Sequence, residues 1–252
     1  MNINTNIVNQ VARIEIARPE KKNALTHAMY HELAQAIEAA DADPAVRAIL
    51  LHGQPDVFTA GNDLEDFARP RQGPNRAAAA FMNALTGAQK PVLAAVAGPA
   101  IGIGTTLLLH CDLVYLAEDA VLRMPFVSLG LCPEFASSLL LPAMAGHARA
   151  AEKLLLCDAL TPQEACEMGI ATRVLPPADV LDFAQAQAER FNTLPPAAVQ
   201  ATKRLMRSAP AEAVRRQIDV ELAAFAERLA SAEAKEAFAA FFERRKPDFS
   251  RF

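Results

Sequence analysis

Two glycine-bearing stretches of this sequence could supply backbone hydrogen-bond donors to a reacting oxygen atom. Residues 57–64 and residues 97–105 each follow an apolar run typical of a buried strand, and the second stretch opens a predicted helix. Ligands of open α/β folds bind at such strand ends, where glycine permits close approach and free N–H groups favour negative charge. Two loops of this kind that converge on one point form an oxyanion hole. The alternative is a pair of ordinary strand-to-helix turns in which glycine serves tight packing.

A single acid, Glu134, could supply proton transfer. Between positions 120 and 146 the only charged residues are Arg123 and Glu134. A carboxylate with apolar flanks is partly desolvated, which raises its pKa and makes it a better base near neutral pH. The alternative is an acid in the first turn of a helix after Pro133, stabilised by the helix dipole. The residues alone leave both interpretations open.

The elements that must position these residues alternate between strands and helices. Apolar runs and alternating patterns predict strands, the first two in a hairpin, at residues 3–8, 11–16, 46–52, 91–97 and 113–117. Helical spacing and capping residues predict helices after Thr26 and Thr161 and at residues 76–88, 105–109, 178–191, 197–208 and 211–245. We therefore expect an α/β core over residues 1–195 and a helical region over residues 196–252. A mobile surface loop is predicted at residues 69–74.

The composition argues against several classes of protein. The 252 residues carry a formal net charge of −4 and are 52% hydrophobic, which disfavours both disorder and a nucleic-acid-binding surface. The four cysteines form no Cys-x-x-Cys pair and the first ten residues show no leader pattern, so we expect a cytoplasmic protein. Residues 91–111 are uncharged but broken by proline and glycine, so we expect no membrane span.

Motifs for other chemistries are absent from the sequence. It contains no dinucleotide-binding glycine motif, no phosphate-binding loop and no nucleophile elbow. His27 and His31 lie four residues apart on a predicted helix, a spacing that could hold a metal ion, but no third ligand lies near them in the sequence. We therefore expect structural histidines and no metal site.

Several motifs, in matching order and spacing, resemble the crotonase superfamily of enoyl-CoA hydratases and isomerases over nearly the whole chain. They lie at residues 58–64, 90–104, 111–113, 160–171 and 241–247. The resemblance implies a spiral of ββα turns, a C-terminal helical trimerisation region, and a homotrimer or a dimer of trimers. It also implies an acyl-CoA thioester as substrate, with no cofactor beyond the CoA that the substrate carries. The same resemblance assigns the oxyanion hole to the backbone N–H groups of Asn62 and Ile103.

The resemblance also implies where the substrate binds. It places the CoA adenine near Ala24 and Ala60. Lys22, just before Ala24, could meet the CoA phosphates, and Lys246 could reach the CoA of its own or a neighbouring subunit. Arg18 and Lys21 are further candidates for the phosphates, although any of these basic residues could instead be a solvated surface charge. The remaining contacts are expected at Gly61, Asp63, Leu64, Gly102, Gly104, Thr106 and Phe126. Asp63 also suits the capping of a turn.

The carboxylates distinguish the two main reactions of this superfamily. Hydration uses two acids, and the positions that carry them in the hydratases hold Thr106 and Phe126 here, which cannot transfer a proton as a carboxyl group does. Residues 133–138 resemble instead the peroxisomal-type Δ3,Δ2-enoyl-CoA isomerases, in which a single Glu at the position of Glu134 is catalytic. The sequence therefore favours an isomerase. The alternatives are an enoyl-CoA hydratase and a catalytically silent acyl-CoA-binding relative.

Overall fold

Short apolar runs form the strands of a central parallel sheet. The computed structural model describes residues 2–67 and 76–252, without the side chain of Phe67. Its strands are β1 Ile3–Val8, β2 Val11–Ile16, β3 Ala48–His52, β4 Val92–Val96, β5 Pro99–Ile101, β6 Leu113–Ala117, β7 Val121–Arg123 and β8 Arg173–Leu175. Six of them form one sheet in the order β1-β2-β3-β4-β6-β8, and β5 pairs with β7 in a second sheet. Only the β1–β2 hairpin is antiparallel among these pairs.

Helices cover the sheet and continue into the C-terminal part of the chain. They are α1 His27–Ala42, α2 Leu64–Phe67, α3 Arg76–Gly87, α4 Ile103–Thr106, α5 Ser137–Ala145, α6 His147–Leu155, α7 Pro162–Glu167, α8 Val180–Glu189, α9 Pro196–Ser208, α10 Ala211–Leu229 and α11 Ala232–Phe242. The predicted cap at Thr26 accepts a hydrogen bond from the Met29 N–H, and Thr161 forms a capping box with Glu164. These local signals fix where α1 and α7 begin.

The sheet is buried on both faces because successive side chains of a strand point to opposite sides. Ile49 and Leu51 of β3 belong to the core that α1 and α3 share, whereas Ala48 and Leu50 belong to the core beneath α8. All five residues of β3 and of β4 are buried. The continuous apolar runs in the sequence reflect this two-sided burial.

The prediction of one continuous helix over residues 211–245 is wrong. The structure divides this segment into α10 and α11 at Ala230 and Ser231. The Ser231 side chain accepts a hydrogen bond from the Ala234 N–H and so begins a new helix. The prediction also missed the β5–β7 sheet, whose strands have only three residues each. The surface loop predicted at residues 69–74 lies outside the described residues.

Candidate functional site

The two glycine-bearing stretches lie side by side in the structure. We call residues 57–64 the first glycine loop and residues 97–105 the second glycine loop. The Thr59 N–H donates to the Pro99 carbonyl at 2.9 Å, and the Ile101 N–H donates to the Thr59 carbonyl at 2.9 Å. This parallel bridge holds the two loops in register, so that Asn62 and Ile103 each follow it within three residues.

Two glycines are required where these loops meet. Gly61 has φ +84°, and a Cβ atom there would lie 2.6 Å from the Ile101 carbonyl oxygen. Gly102 has φ +57° and immediately precedes the first residue of α4. Left-handed backbone and close contact both disfavour a side chain at Gly61. The glycines therefore serve a specific geometry as well as compact packing.

The backbone N–H groups of Asn62 and Ile103 are available to a ligand. Among the described residues, neither group donates to a protein acceptor. The Ile103 N–H is the first of α4, where N–H groups lack partners within the helix. Each of the two residues directly follows a glycine with positive φ. The arrangement presents two backbone donors on neighbouring loops, which is the requirement for stabilising an oxyanion.

A cavity of about 560 Å³ opens at these loops. Several of the sequence-predicted substrate residues line it, namely Lys22, Ala24, Ala60, Gly61, Asp63, Leu64, Gly102 and Phe126, together with Asn62. Its wall includes apolar side chains from distant parts of the chain, namely Leu129, Leu131, Phe225, Phe241 and Phe242. The cavity lining thus combines the basic residues Lys21 and Lys22 with a largely apolar wall.

Other predicted residues lie behind or away from this cavity wall. Ile103, Gly104 and Thr106 are buried in α4, behind the second glycine loop. Glu134 is also buried, and it reaches the cavity through Asn62, whose side-chain amide donates to the Glu134 carboxylate at 3.5 Å. Lys246 is exposed beyond α11 and does not line the cavity of a single chain.

Glu134 is a buried acid that pairs with no cation among the described residues. It is 4% exposed, and burial together with the nearby carboxylate of Glu221 raises its pKa to about 8, while the Asn62 amide opposes the rise. The phenol of Tyr30 donates to the Asn62 side-chain oxygen and so orients the amide toward Glu134. Helix α5 begins only at Ser137, so Glu134 does not lie in the first turn of a helix. That alternative interpretation of the sequence is wrong.

Glu221 is a neighbour of Glu134 that the sequence interpretation missed. It lies on α10 and is 4% exposed; burial raises its pKa above the ordinary value, and hydrogen bonds from Ser138 and Ala136 oppose that rise. A sequence signal existed, because Ile218 and Phe225 flank Glu221 at helical spacing on the buried face of α10. A glutamate on an apolar helix face indicates a specific buried partner.

No carboxyl group stands at the two positions that carry acids in the hydratases. Thr106 is fully buried, and its hydroxyl lies 3.5 Å from the Ile103 carbonyl oxygen. Phe126 lines the cavity and packs edge-on against Phe225, with ring centroids 6.4 Å apart. Neither side chain can exchange a proton with a substrate carbon as a carboxylate does.

The basic residues Arg18 and Lys21, near the cavity, differ in their ion-pair partners and in their exposure. Arg18 donates to the Asp63 carboxylate at 2.6 Å and to the Ala24 carbonyl at 2.8 Å. Its guanidinium therefore braces the first glycine loop, and the expectation that Arg18 meets phosphates is not supported by this geometry. Asp63 also accepts from the Asp66 N–H at 3.0 Å. Lys21 pairs with Glu65 at 3.0 Å, in an exposed pair that a ligand can displace at little cost.

Comparisons with known proteins agree in sequence and in structure. The chain matches the family described as "Enoyl-CoA hydratase/isomerase" over residues 6–251. It is 36% identical over 204 residues to enoyl-CoA delta isomerase 2 of Rattus norvegicus, covering 78% of this chain and 52% of that protein. It is 31% identical over 245 residues to a probable enoyl-CoA hydratase of Bacillus subtilis, covering 95% of each chain.

The similarity extends to solved structures. A crystal structure of an enoyl-CoA hydratase/isomerase from Pseudoalteromonas atlantica T6c shares 43% identity and a TM-score of 0.94, covering 99% of this chain and 100% of that chain. The superfamily fold expected from the sequence motifs is thereby confirmed. The chain spans about half the length of the delta isomerases that it matches. Within the described ranges, no helix has the length and apolarity to cross a membrane.

Proposed function

Because this chain belongs to the enoyl-CoA hydratase/isomerase family, we propose that it is a Δ3,Δ2-enoyl-CoA isomerase. Such an enzyme moves the C3=C4 double bond of an acyl-CoA thioester to C2=C3. The observation that carries the proposal is the buried base Glu134, which pairs with no cation among the described residues, with Thr106 and Phe126 at the positions where a hydratase carries its acids. Moving one proton between two carbons requires only one carboxyl group.

In the proposed reaction, the thioester oxygen accepts hydrogen bonds from the N–H groups of Asn62 and Ile103. Glu134 removes a proton from C2, and the electrons of that C–H bond delocalise through C3=C4 into the thioester as a dienolate. The two N–H donors stabilise the negative charge on its oxygen. The protonated Glu134 then returns the proton to C4, which leaves the double bond between C2 and C3 and regenerates the carboxylate.

The environment of Glu134 suits both halves of this proton transfer. Burial raises its pKa to about 8, so the carboxylate is a stronger base than an exposed glutamate and its acid form is accessible near neutral pH. The Asn62 amide, oriented by Tyr30, retains one polar contact with the carboxylate. A base of this kind matches its pKa to the pH at which it works.

We propose that the CoA moiety enters past Lys22, Ala24 and Ala60, and that the acyl chain occupies the apolar interior beside Phe126. These residues line one continuous cavity, which supports a single extended ligand. The proposal needs no metal ion and no cofactor beyond the CoA of the substrate. A homotrimer or dimer of trimers, in which Lys246 reaches the CoA of a neighbouring subunit, and a cytoplasmic location remain part of the proposal.

The experiment is turnover of a panel of 3-enoyl-CoA and 2-enoyl-CoA esters by the wild-type protein and by Glu134→Gln. We expect wild type to form the conjugated 2-enoyl thioester, and Glu134→Gln to reduce kcat by roughly 10³-fold, in the range typical of general acid–base catalysis. Binding of a non-reactive acyl-CoA should survive in the variant. The matched control is Glu164→Gln, which removes a carboxylate from the α7 capping box and leaves the site intact. Full activity in Glu134→Gln would contradict the proposal.

The hydratase is the second candidate, because several relatives carry that name. The same panel separates the two reactions. A hydratase consumes the conjugated absorbance of a 2-enoyl-CoA in water, whereas an isomerase alone adds no water and leaves that absorbance unchanged. Binding of acyl-CoA with turnover of neither ester class would indicate the silent acyl-CoA-binding relative instead.

A further inference from the structure

The carboxylate of Glu221 binds the start of the helix that follows Glu134. One oxygen accepts from the Ala136 N–H at 2.5 Å, and the other accepts from the Ser138 N–H at 3.0 Å and from the Ser138 hydroxyl. Gln217, one turn earlier on α10, donates to the same Ser138 hydroxyl oxygen at 2.9 Å. A carboxylate that accepts several N–H and O–H bonds at a helix N-terminus is favoured in its ionised form.

The backbone held in this way is strained. Phe135 and Ala136 have φ values of +61° and +55°, a left-handed conformation that residues with a Cβ atom rarely adopt. Such a conformation persists only where the surrounding structure overdetermines it, and it concentrates at functional sites. On one side His110 donates from Nε2 to the Phe135 carbonyl at 2.8 Å and stacks on the Phe135 ring. On the other side Glu221 holds the Ala136 N–H.

Glu221 does not act as the second acid of a hydratase. Both of its oxygens accept hydrogen bonds from the α5 N-terminus, which engages the carboxylate with the protein backbone rather than with a substrate. Its position fits a group that acts on Glu134 rather than on a substrate atom.

We propose that Glu221 is a positioning residue for Glu134: it fixes the left-handed turn at Phe135–Ala136 and places a second negative charge beside the base. That Glu134 is the base rests on the proposed function, but the ionisation of Glu134 can be measured without any substrate. Glu221 lies outside the motifs that resemble the superfamily.

Within the described part of the chain, the other titratable groups near Glu134 are neutral or paired with an opposite charge. Burial raises the pKa of Tyr30 on α1 well above its ordinary value and also raises that of Cys132, so both are neutral near pH 7. Burial lowers the pKa of His110 to about 4, so its imidazole is neutral as well. Arg228 of α10, whose charge acts on Cys132, is paired with Glu233 at 2.9 Å. Asn62 contributes an uncharged amide.

The test is a titration of Glu134 by carbon NMR on protein labelled at the glutamate carboxyl carbon. The Glu134 resonance is assigned by its absence from Glu134→Gln. We expect Glu221→Gln to lower the Glu134 titration midpoint by about one pH unit, because the neighbouring charge is gone. The matched control, Ser138→Ala, removes one hydrogen-bonding partner of Glu221 but keeps the charge, so the midpoint should stay within about 0.3 of wild type. An unchanged midpoint in Glu221→Gln would overturn the proposal.

A second measurement keeps the proposal testable if Glu221→Gln fails to fold. In the wild-type spectrum the Glu221 carboxyl should titrate at lower pH than Glu134, and a Glu221 that stays protonated through pH 8 would overturn the proposal. The two hypotheses can fail separately. If 3-enoyl-CoA esters are not turned over but the Glu134 midpoint moves as expected, the proposed function fails and this inference stands. If turnover depends on Glu134 but the midpoint does not move, the inference fails alone.

Discussion

Two regions of this protein hold acidic side chains that are partly or fully removed from water, and the two regions differ in how the negative charge is compensated. In the first, which we call the ion cluster, Asp112 pairs with Lys203 at 2.6 Å and with Arg207 at 2.9 Å, and also accepts from the Val92 N–H at 2.8 Å. In the second, Glu134 has one amide at 3.5 Å and the like charge of Glu221, and among the described residues no cation pairs with it.

This difference distinguishes a charge that stabilises the fold from a charge that is proposed to take part in a reaction. Removing an ion from water is costly, and a protein normally offsets that cost with an opposite charge and hydrogen bonds. The ion cluster does this and so joins α9 to β4 and β6. At the Glu134 site no cation among the described residues pairs with the carboxylate, and the carboxylate is therefore more basic. A buried acid without an opposite charge beside it is expected where that acid must gain and lose a proton during a reaction.

The pH dependence of turnover should show the largest effect of the missing cation at Glu134. Because Glu134 must be ionised to remove a proton and its pKa is about 8, kcat/KM for a 3-enoyl-CoA should rise with pH and level off above pH 8. The rise between pH 6 and pH 9 should be roughly hundredfold. Initial rates of conjugated-thioester formation across this range measure it. A flat profile would show that Glu134 is ionised throughout and that the two regions do not differ.

The stability of Glu134→Gln tests the same contrast without substrate. The folded pKa of Glu134 lies above its ordinary value of 4.5, so the folded state holds a proton that the unfolded state releases between pH 4.5 and about 8. Wild-type stability is therefore lost as pH rises through this window, and the glutamine variant escapes that loss. By pH 8.5 the variant should have gained on the order of 3 kcal/mol over wild type, relative to pH 4.5.

Chemical denaturation of both proteins at pH 4.5 and pH 8.5, at equal protein concentration, measures this gain. Equal concentration matters because any assembly adds to the apparent stability. A difference between the proteins that is the same at both pH values would contradict the expected linkage.

Asp112→Asn, in the ion cluster, should lower the stability of the fold and leave turnover nearly unchanged. It leaves Lys203, which is 7% exposed, without its carboxylate partner, and should lower the free energy of unfolding by about 2 kcal/mol, at the modest end for a partly exposed pair. The kcat should stay within about twofold, since Asp112 has no part in the proposed chemistry. Urea denaturation and turnover of one 3-enoyl-CoA, side by side, give both values. A large loss of kcat with unchanged stability would reverse the assignment of the two regions.

The smallest expected effect concerns the one polar contact that Glu134 retains. Tyr30→Phe removes the phenol that holds the Asn62 amide, and should lower kcat by roughly threefold to tenfold, in line with the loss of one hydrogen bond. Binding of a non-reactive acyl-CoA should be unchanged, because Tyr30 does not line the cavity. A change in binding alone would place Tyr30 in ligand recognition rather than in support of Glu134.

Much of the fold was predictable because its signals are local. The β1–β2 hairpin has the bounds that alternation predicted, and α1 and α7 begin where Thr26 and Thr161 cap them. Prediction was wrong for the continuous helix after residue 211, since the abundant helix formers there obscured the cap at Ser231. It missed β5 and β7 because three-residue strands carry too few side chains to show a period.

The functional site, like the fold, was predictable only where its signals are local in the sequence. The two glycine loops and the isolated acid Glu134 could be identified from the sequence, because glycine spacing and the lack of charge nearby are properties of neighbouring residues. Three features depend on the folded chain: the bridge between the loops, the placement of Phe225, Phe241 and Phe242 on the cavity wall, and the position of Glu221 near Glu134. Ala136 and Glu221 are 85 positions apart, and a contact of that range depends on how helices pack against one another. Local pattern thus identified the reacting groups, while long-range packing set the charge that surrounds them.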